Sequence, residues 1–285
     1  MTRAPAVSGT FYPSTERRLI SKIESISSHP LGAHINITQE KDQNTAGVIV
    51  PHASYDYSGP CASHAFNYLA SLKPPDLYLL LGGSHSGSPS AFSSEDWETP
   101  SGILHTDKSI LNILSGKTII PISDIYHTEE HSIEVLAVLL SYLQKEQGRA
   151  TPAVFLHLSK DRDMKDTGER IAEALEGKKV HLLISSDFVH YGPRFYYTPF
   201  KKNMLESVHS LDHHAIEYIT DMDAPGFMNL IKETGATICG YLAIAAGLSF
   251  LKSRGIKKGA LLKYYTSADI SGDESNTVSY ASISF

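Results

Sequence analysis

Three observations predict an α/β fold, a single domain over residues 1–285 around a mostly parallel central sheet. Short apolar runs alternate along the chain with stretches whose apolar positions recur at helical spacing. Within the short runs successive residues are apolar, not alternate ones, which is the pattern of strands covered by helices on both faces. The connections are short, and neither a low-complexity linker nor an internal repeat divides the chain.

The elements follow in order. Residues 39–45 are polar and read as a loop. Ala46 to Val50 is a short apolar run stopped by Pro51, a buried strand. In "GPCASHAFNYLASL" (Gly59 to Leu72) the apolar positions 62, 65, 66 and 69 share a helical face, and Pro60 suits a first turn. Leu77 to Leu81 predicts a second strand, closed by Gly82-Gly83. A short helix with an Asp near its start is expected from Asp107 to Leu114, and a long one from His131 to Gln147. Ala153 to Leu158 and Val180 to Ser185 are further strands, separated by an amphipathic helix, Asp163 to Glu176, that Gly177 terminates. Helices are expected over Lys201 to Ile219 and Ala224 to Glu233. "TICGYLAIAAGLSFL" predicts an apolar helix beginning close to Cys239. Two strands close the chain, Ala260 to Thr266 and Thr277 to Ile283.

Composition narrows the function. The chain is 41% hydrophobic and 20% charged with a net charge of -6, and it has no dense Lys/Arg stripe. Neither nucleic acid nor an anionic membrane is therefore expected as a partner. Two cysteines are too few for a disulfide framework, which favours a reducing cytosol. No apolar run reaches membrane-spanning length, and "MTRAPAVSGTFYP" lacks the apolar segment of a signal peptide. A cytoplasmic enzyme or binding protein is the expectation. The 14 histidines are many for this length, and their positions matter.

Ligands in open α/β sheets bind beyond the carboxyl ends of the strands. One predicted strand ends in Pro51-His52 and another in Gly82-Gly83-Ser84-His85. A third ends in Ser185-Ser186-Asp187, with His190 close behind in "SSDFVHYG". Parallel neighbours would bring these groups to one rim; otherwise each histidine caps its own turn. Cys239 is expected at or just before a helix N-terminus, where the dipole favours a thiolate. Cys61, inside an apolar helical pattern, reads as a small core residue.

Two chemistries compete for this set. His52, His85 and Cys239 would make a three-ligand site suited to copper(I), zinc or iron(II). Alternatively Cys239 is a nucleophile with a histidine as its base. Two strand-end histidines favour the metal. "HTEEH" (His127 to His131) matches an inverted zinc-peptidase pattern. A helix beginning near His131 leaves His127 in the preceding loop, so the segment reads better as a helix start with Glu130, His131 and Glu134 facing the pocket.

Six ordered segments, "RAPAVSGTFYP", "VPHASYDYSGPCASHAF", "LGGSHSG", "EEHSIEV", "SSDFVHYG" and "TICGYLAIA", resemble the MEMO family, named for a mediator of ErbB2-driven cell motility. The resemblance implies a fold similar to class III extradiol dioxygenases, which hold non-haem iron with two histidines and a carboxylate. The matching positions are His52, His85 and Cys239, so a thiolate stands in place of the carboxylate. His190 falls at an acid/base histidine, Asp187 and His131 line the same pocket, and Tyr55 and Tyr57 wall it. "GGSHSG" departs from a commoner "GPSHH" and "HASY" from "HAGY", changes that bear on pocket shape. The family implies two functions of different kinds. One is a redox-active metalloprotein holding copper(I) or iron(II), a metal-dependent oxidoreductase if it turns over. The other is a non-enzymatic signalling module that binds phosphotyrosine peptides, for which Arg194, just after "HYGP", is the one basic residue well placed. Ring cleavage ranks last, because iron would have to keep that chemistry with a thiolate ligand.

Overall fold

Four apolar runs, Thr45–Val50, Val180–Ser185, Leu77–Gly83 and Ala153–Leu158, lie side by side in that order and run parallel. They form the centre of the sheet in a computed structural model that describes residues 1–285. Every residue of the four is buried, as continuous apolar runs require. The sheet is mixed, however. Thr277–Ser284 pairs antiparallel with Thr45–Val50, Ala260–Thr266 lies outside it, and Ala91–Phe92 pairs antiparallel with Ala153–Leu158 at the other edge. His190–Tyr191 adds a short antiparallel pairing to Thr277–Ser284. A small second sheet joins Thr2–Arg3, Asp96–Thr99 and Gly102–Leu104. Strands this short carry too few residues for a period to register in the sequence.

Side chains alternate across the sheet and build a core on each face. Leu77, Leu79 and Leu81 enter one cluster with Val180, Leu182 and Ile184. That face is covered by Lys108–Thr118, Met164–Ala174, Met204–Thr220, Ala224–Thr234 and Tyr241–Ser253. Tyr78, Leu80 and Leu183 enter the other cluster, under Glu16–Ser28, Gly59–Ala70 and Ser132–Glu146. The helix Glu16–Ser28 stands outside the expectations, although Leu19, Ile23 and Ile26 recur at i, i+4 and i+7 and form its buried face. Expected helix starts are explained by caps. Asp107 accepts from Ser109 N and Ile110 N, and Asp163 from Asp166 N. Cys61 is a core residue as expected, and burial pushes its thiol up to about 12.

Because the four central strands are parallel, their carboxyl ends open on one side. Pro51-His52, Ser84-His85 and Ser186-Asp187 all follow strands that end there. No helix is long and apolar enough to cross a membrane.

Candidate metal centre

His52 leaves the strand Thr45–Val50 through Pro51 and is 2% exposed. Its backbone N–H donates to Asp187 Oδ1 at 2.8 Å, and that of Ala53 to the same oxygen at 3.3 Å. The ring Nδ1 sits 2.7 Å from Ser185 Oγ, and that hydroxyl lies 2.6 Å from the carbonyl of Ser132. A hydroxyl has one proton to give, and a carbonyl can only accept. Ser185 therefore donates to Ser132 and accepts from His52 Nδ1–H. The tautomer is fixed with a lone pair on Nε2, 3.2 Å from Cys239 Sγ. Burial, then the neighbouring His85 and His131, hold the pKa of His52 well below the usual histidine range, so the ring stays neutral.

His85 is gripped differently. Its backbone N–H and ring Nδ1 donate to the two oxygens of Glu130, at 2.7 and 2.9 Å. Burial works against a charged imidazole there, but hydrogen bonds to Cys239 and Glu130 raise its pKa to about 10. Burial likewise opposes the charge on Glu130, and its bonds with His85 hold the carboxyl well below its usual range. Arg3 fixes this turn from behind. Its Nε donates to His127 O at 2.8 Å, its Nη2 to Glu130 O at 2.8 Å, and its Nη1 to Glu134 Oε2 at 2.7 Å. Glu134 is thus turned away from the pocket that the sequence reading gave it. Its oxygens are taken by Arg3, Ala6 N, Val7 N and Tyr12 OH.

Cys239 stands just before the helix Tyr241–Ser253. Its sulfur accepts the Asp187 N–H at 3.2 Å. Two glycines allow its backbone to come this close. A Cβ on Gly240 would fall 2.2 Å from Ser185 O, and one on Gly83 would fall 2.8 Å from Cys239 O. The helix dipole favours a thiolate here, and burial works against it. Burial pushes the Cys239 thiol up, and the hydrogen bond with His85 offsets this only in part.

The ligand atoms of His52, Asp187 and Cys239 lie within 4.8 Å of one another, and so do those of His52, His85 and His131. The two triads share His52. His131, expected only in the pocket wall, adds a third imidazole, with its ring 4.6 Å from that of His85 and 5.0 Å from Phe11. His190 lies beside the group. Its Nδ1 is 2.9 Å from Phe188 O and 3.0 Å from Thr237 O, so the proton is on Nδ1 and Nε2 is free. Tyr55 is no pocket wall: it is buried in the core and its hydroxyl donates to Val135 O. Tyr57 is exposed, and its carbonyl accepts from Tyr265 OH. Arg194 stands on the exposed turn Pro193–Phe195, and its backbone N–H donates to Asn276. The peptidase pattern dissolves, since His127 ends a 3-10 turn and bonds Ala91 O while the helix starts at Ser132. Ser185 and Ser132 were missed because a serine at a strand or helix end has no distinctive sequence signature.

The family model described as "Memo-like protein" matches residues 3–284. The chain belongs to the Memo-like family. A MEMO1 family protein of Nitrosopumilus maritimus is 33% identical over 289 residues, covering 100% of both chains. Another, from Methanococcoides burtonii, is 35% identical over 285 residues, covering 99% of this chain and 98% of its own. Among solved structures, an uncharacterized protein of Escherichia coli K12 superposes with a TM-score of 0.54 at 12% identity, over 84% of this chain and 99% of that one. That likeness concerns the fold.

In this Memo-like protein the donors of His52 and Cys239 are spaced for a soft or borderline cation, whereas His85 is grouped with His52 and His131 and not with Cys239. Ligands at about 2.0 Å (nitrogen) and 2.3 Å (sulfur) from one ion stand roughly 3.0–3.5 Å apart at angles between square and tetrahedral. The separation of His52 Nε2 and Cys239 Sγ, 3.2 Å, is in that range. Both strand-end imidazoles have their Nδ1 engaged by oxygen, the support that orients metal-ligating histidines.

Proposed function

We propose that this Memo-like protein binds one redox-active ion, copper(I) or iron(II), through His52, His85 and Cys239. The observation that carries the reading is the fixed tautomer of His52, which aims an unprotonated Nε2 at Cys239 Sγ, 3.2 Å away. Without an ion the Cys239 S–H can donate to this nitrogen, and a cation between them would take the place of that proton. His131 supplies a further imidazole at the same spot. A copper or iron ion held here would supply one-electron chemistry, and zinc would fit the same donors without it. Asp187 acts by position, bonding the His52 loop and giving its N–H to the sulfur. His190, with Nε2 free, is the group able to take a proton from a bound molecule.

A second reading is a non-enzymatic module that receives a phosphotyrosine peptide. It is favoured by the exposed Arg194 near His190, whose ring is 5.2 Å from that of Phe195.

Titration of metal-free protein with copper(I) and iron(II), under anaerobic reducing conditions, tests the first reading beside His52→Ala and Cys239→Ser. One equivalent bound by the wild type and lost in both variants is expected. Equal, weak uptake by all three would overturn it and leave the peptide reading, to be tested with a phosphotyrosine peptide and Arg194→Ala.

A further inference from the structure

A groove of about 850 Å³ runs between the helices Met164–Ala174, Ala224–Thr234 and Tyr241–Ser253. Its floor is apolar: Met164, Met222, Met228, Leu242, Ala245 and Leu248. Three of the chain's five methionines are gathered there, the side chain that adapts best to the shape of a guest. The lining extends from Tyr241 to Ser253, so the groove follows that helix for about 18 Å.

Charge is distributed unevenly along it. Lys160, Arg162 and Lys165 stand at the end where the helix Met164–Ala174 begins. Lys252 is toward the other end, where Glu169 also lines the groove. The two long helices keep this direction, since their far ends meet round a separate polar cleft lined by Ala172, Glu176, Ser253 and Lys258. Of the acids near the basic end, Asp163 is engaged as a cap by Asp166 N at 2.9 Å. Lys165 lies 3.9 Å from Glu169, a loose exposed pair. Arg162 is only loosely engaged. Its Nε is buried and has no hydrogen-bond acceptor. Asp161 Oδ2 lies 3.5 Å from it, a loose, partly exposed ion pair, while Asp161 Oδ1 accepts from Ser90 N and Oγ.

We propose that this groove binds an amphipathic organic anion, an unesterified long-chain carboxylate. Its tail lies on the methionine floor and its head meets Arg162, with Lys160 and Lys165 beside it. The volume is that of a small-molecule site. A guanidinium with unused donors suits a carboxylate. Cations collected at one end suit a single headgroup, whereas an acidic helix would be matched by charge along both walls.

Calorimetric titration with dodecanoate below its micellar concentration tests this, with dodecylammonium as the head-group control. The wild type is expected to bind one dodecanoate saturably. Arg162→Glu and the half-buried Met228→Glu are each expected to weaken binding by about tenfold or more, and Lys202→Glu, outside the groove, to leave it unchanged. Thermal melting checks that each variant folds. No saturation, equal binding of dodecylammonium, or indifference to both groove variants would overturn the proposal. So would an acidic helical peptide that binds the wild type but not the groove variants where dodecanoate fails, because the groove would then be a helix-docking surface.

Discussion

The hydroxyl of Ser185 gives its one proton to Ser132 O, so the ring of His52 can donate to it only from Nδ1. Ser185→Ala removes that constraint and is expected to weaken copper(I) affinity by about tenfold or more while leaving the three ligands in place. Glu130→Gln should do the same through His85, because an amide cannot accept with both of the atoms that now receive the His85 backbone and ring. Competitive titration against a chelator of known affinity reads both effects; unchanged affinity in both would mean that the tautomers do not matter. The proposed ligands His52 and His85 were legible in the sequence because histidine after Pro51 or Gly83-Ser84 marks a strand end. Their supports were not, because a strand-end serine and a helix-start glutamate are ordinary residues. A second residue away from the centre makes a prediction about pH. Asp212 is fully buried, and burial raises its carboxyl to about 6 from an ordinary 3.8, despite bonds from Val189 N and Tyr264 OH. The folded chain then holds this proton more tightly than the unfolded one. The resulting stability is complete below about pH 4 and is lost as pH rises through about 6. Asp212→Asn should therefore be more stable than the wild type above pH 6, by up to about 3 kcal/mol, with the difference vanishing near pH 4. Urea denaturation at both pH values checks the sign.

Three elements meet at Cys239, and their approach depends on missing side chains. Gly240→Ala would drive a Cβ to within 2.2 Å of Ser185 O, a backbone atom that cannot swing aside. The helix Tyr241–Ser253 must then shift. Expected outcomes are about 1–3 kcal/mol of lost stability and weaker metal binding, read in one urea series and one titration. The N-terminal strand Thr2–Arg3 matters in a different way. Arg3 is 4% exposed, is paired with Glu134 and lies 4.1 Å over Trp97. Arg3→Ala leaves Glu134 buried without its cation, at an expected cost of about 3–5 kcal/mol by denaturation. Arg3→Lys should recover little of it, because one ammonium cannot replace the fork that reaches His127, Glu130 and Glu134. The central strands and, apart from Glu16–Ser28, the long helices were legible from period and punctuation, most clearly where Asp107 and Asp163 cap their helices. The short strands Ala91–Phe92 and His190–Tyr191, the small second sheet and the destination of Glu134 were not, since each depends on contacts between residues far apart in the chain.

Across the whole molecule, the parallel centre of the sheet brings together side chains that are distant in sequence. His52 and Cys239 are 187 residues apart, yet within 3.2 Å. Apolar cores on both faces hold the four strands; of the proposed ligands, His52 and His85 sit on turns where two of those strands end, and Cys239 just before the helix Tyr241–Ser253. The mixed edges do not disturb this rim, because the antiparallel strands are added outside the parallel four. The central claim is that sulfur and imidazole share one ion, and X-ray absorption at the metal edge of anaerobic copper(I)-loaded protein tests it most directly. The account predicts one sulfur at about 2.3 Å with nitrogen at about 2.0 Å, and loss of the sulfur in Cys239→Ser. A shell of nitrogen and oxygen alone, unchanged by Cys239→Ser, would contradict it.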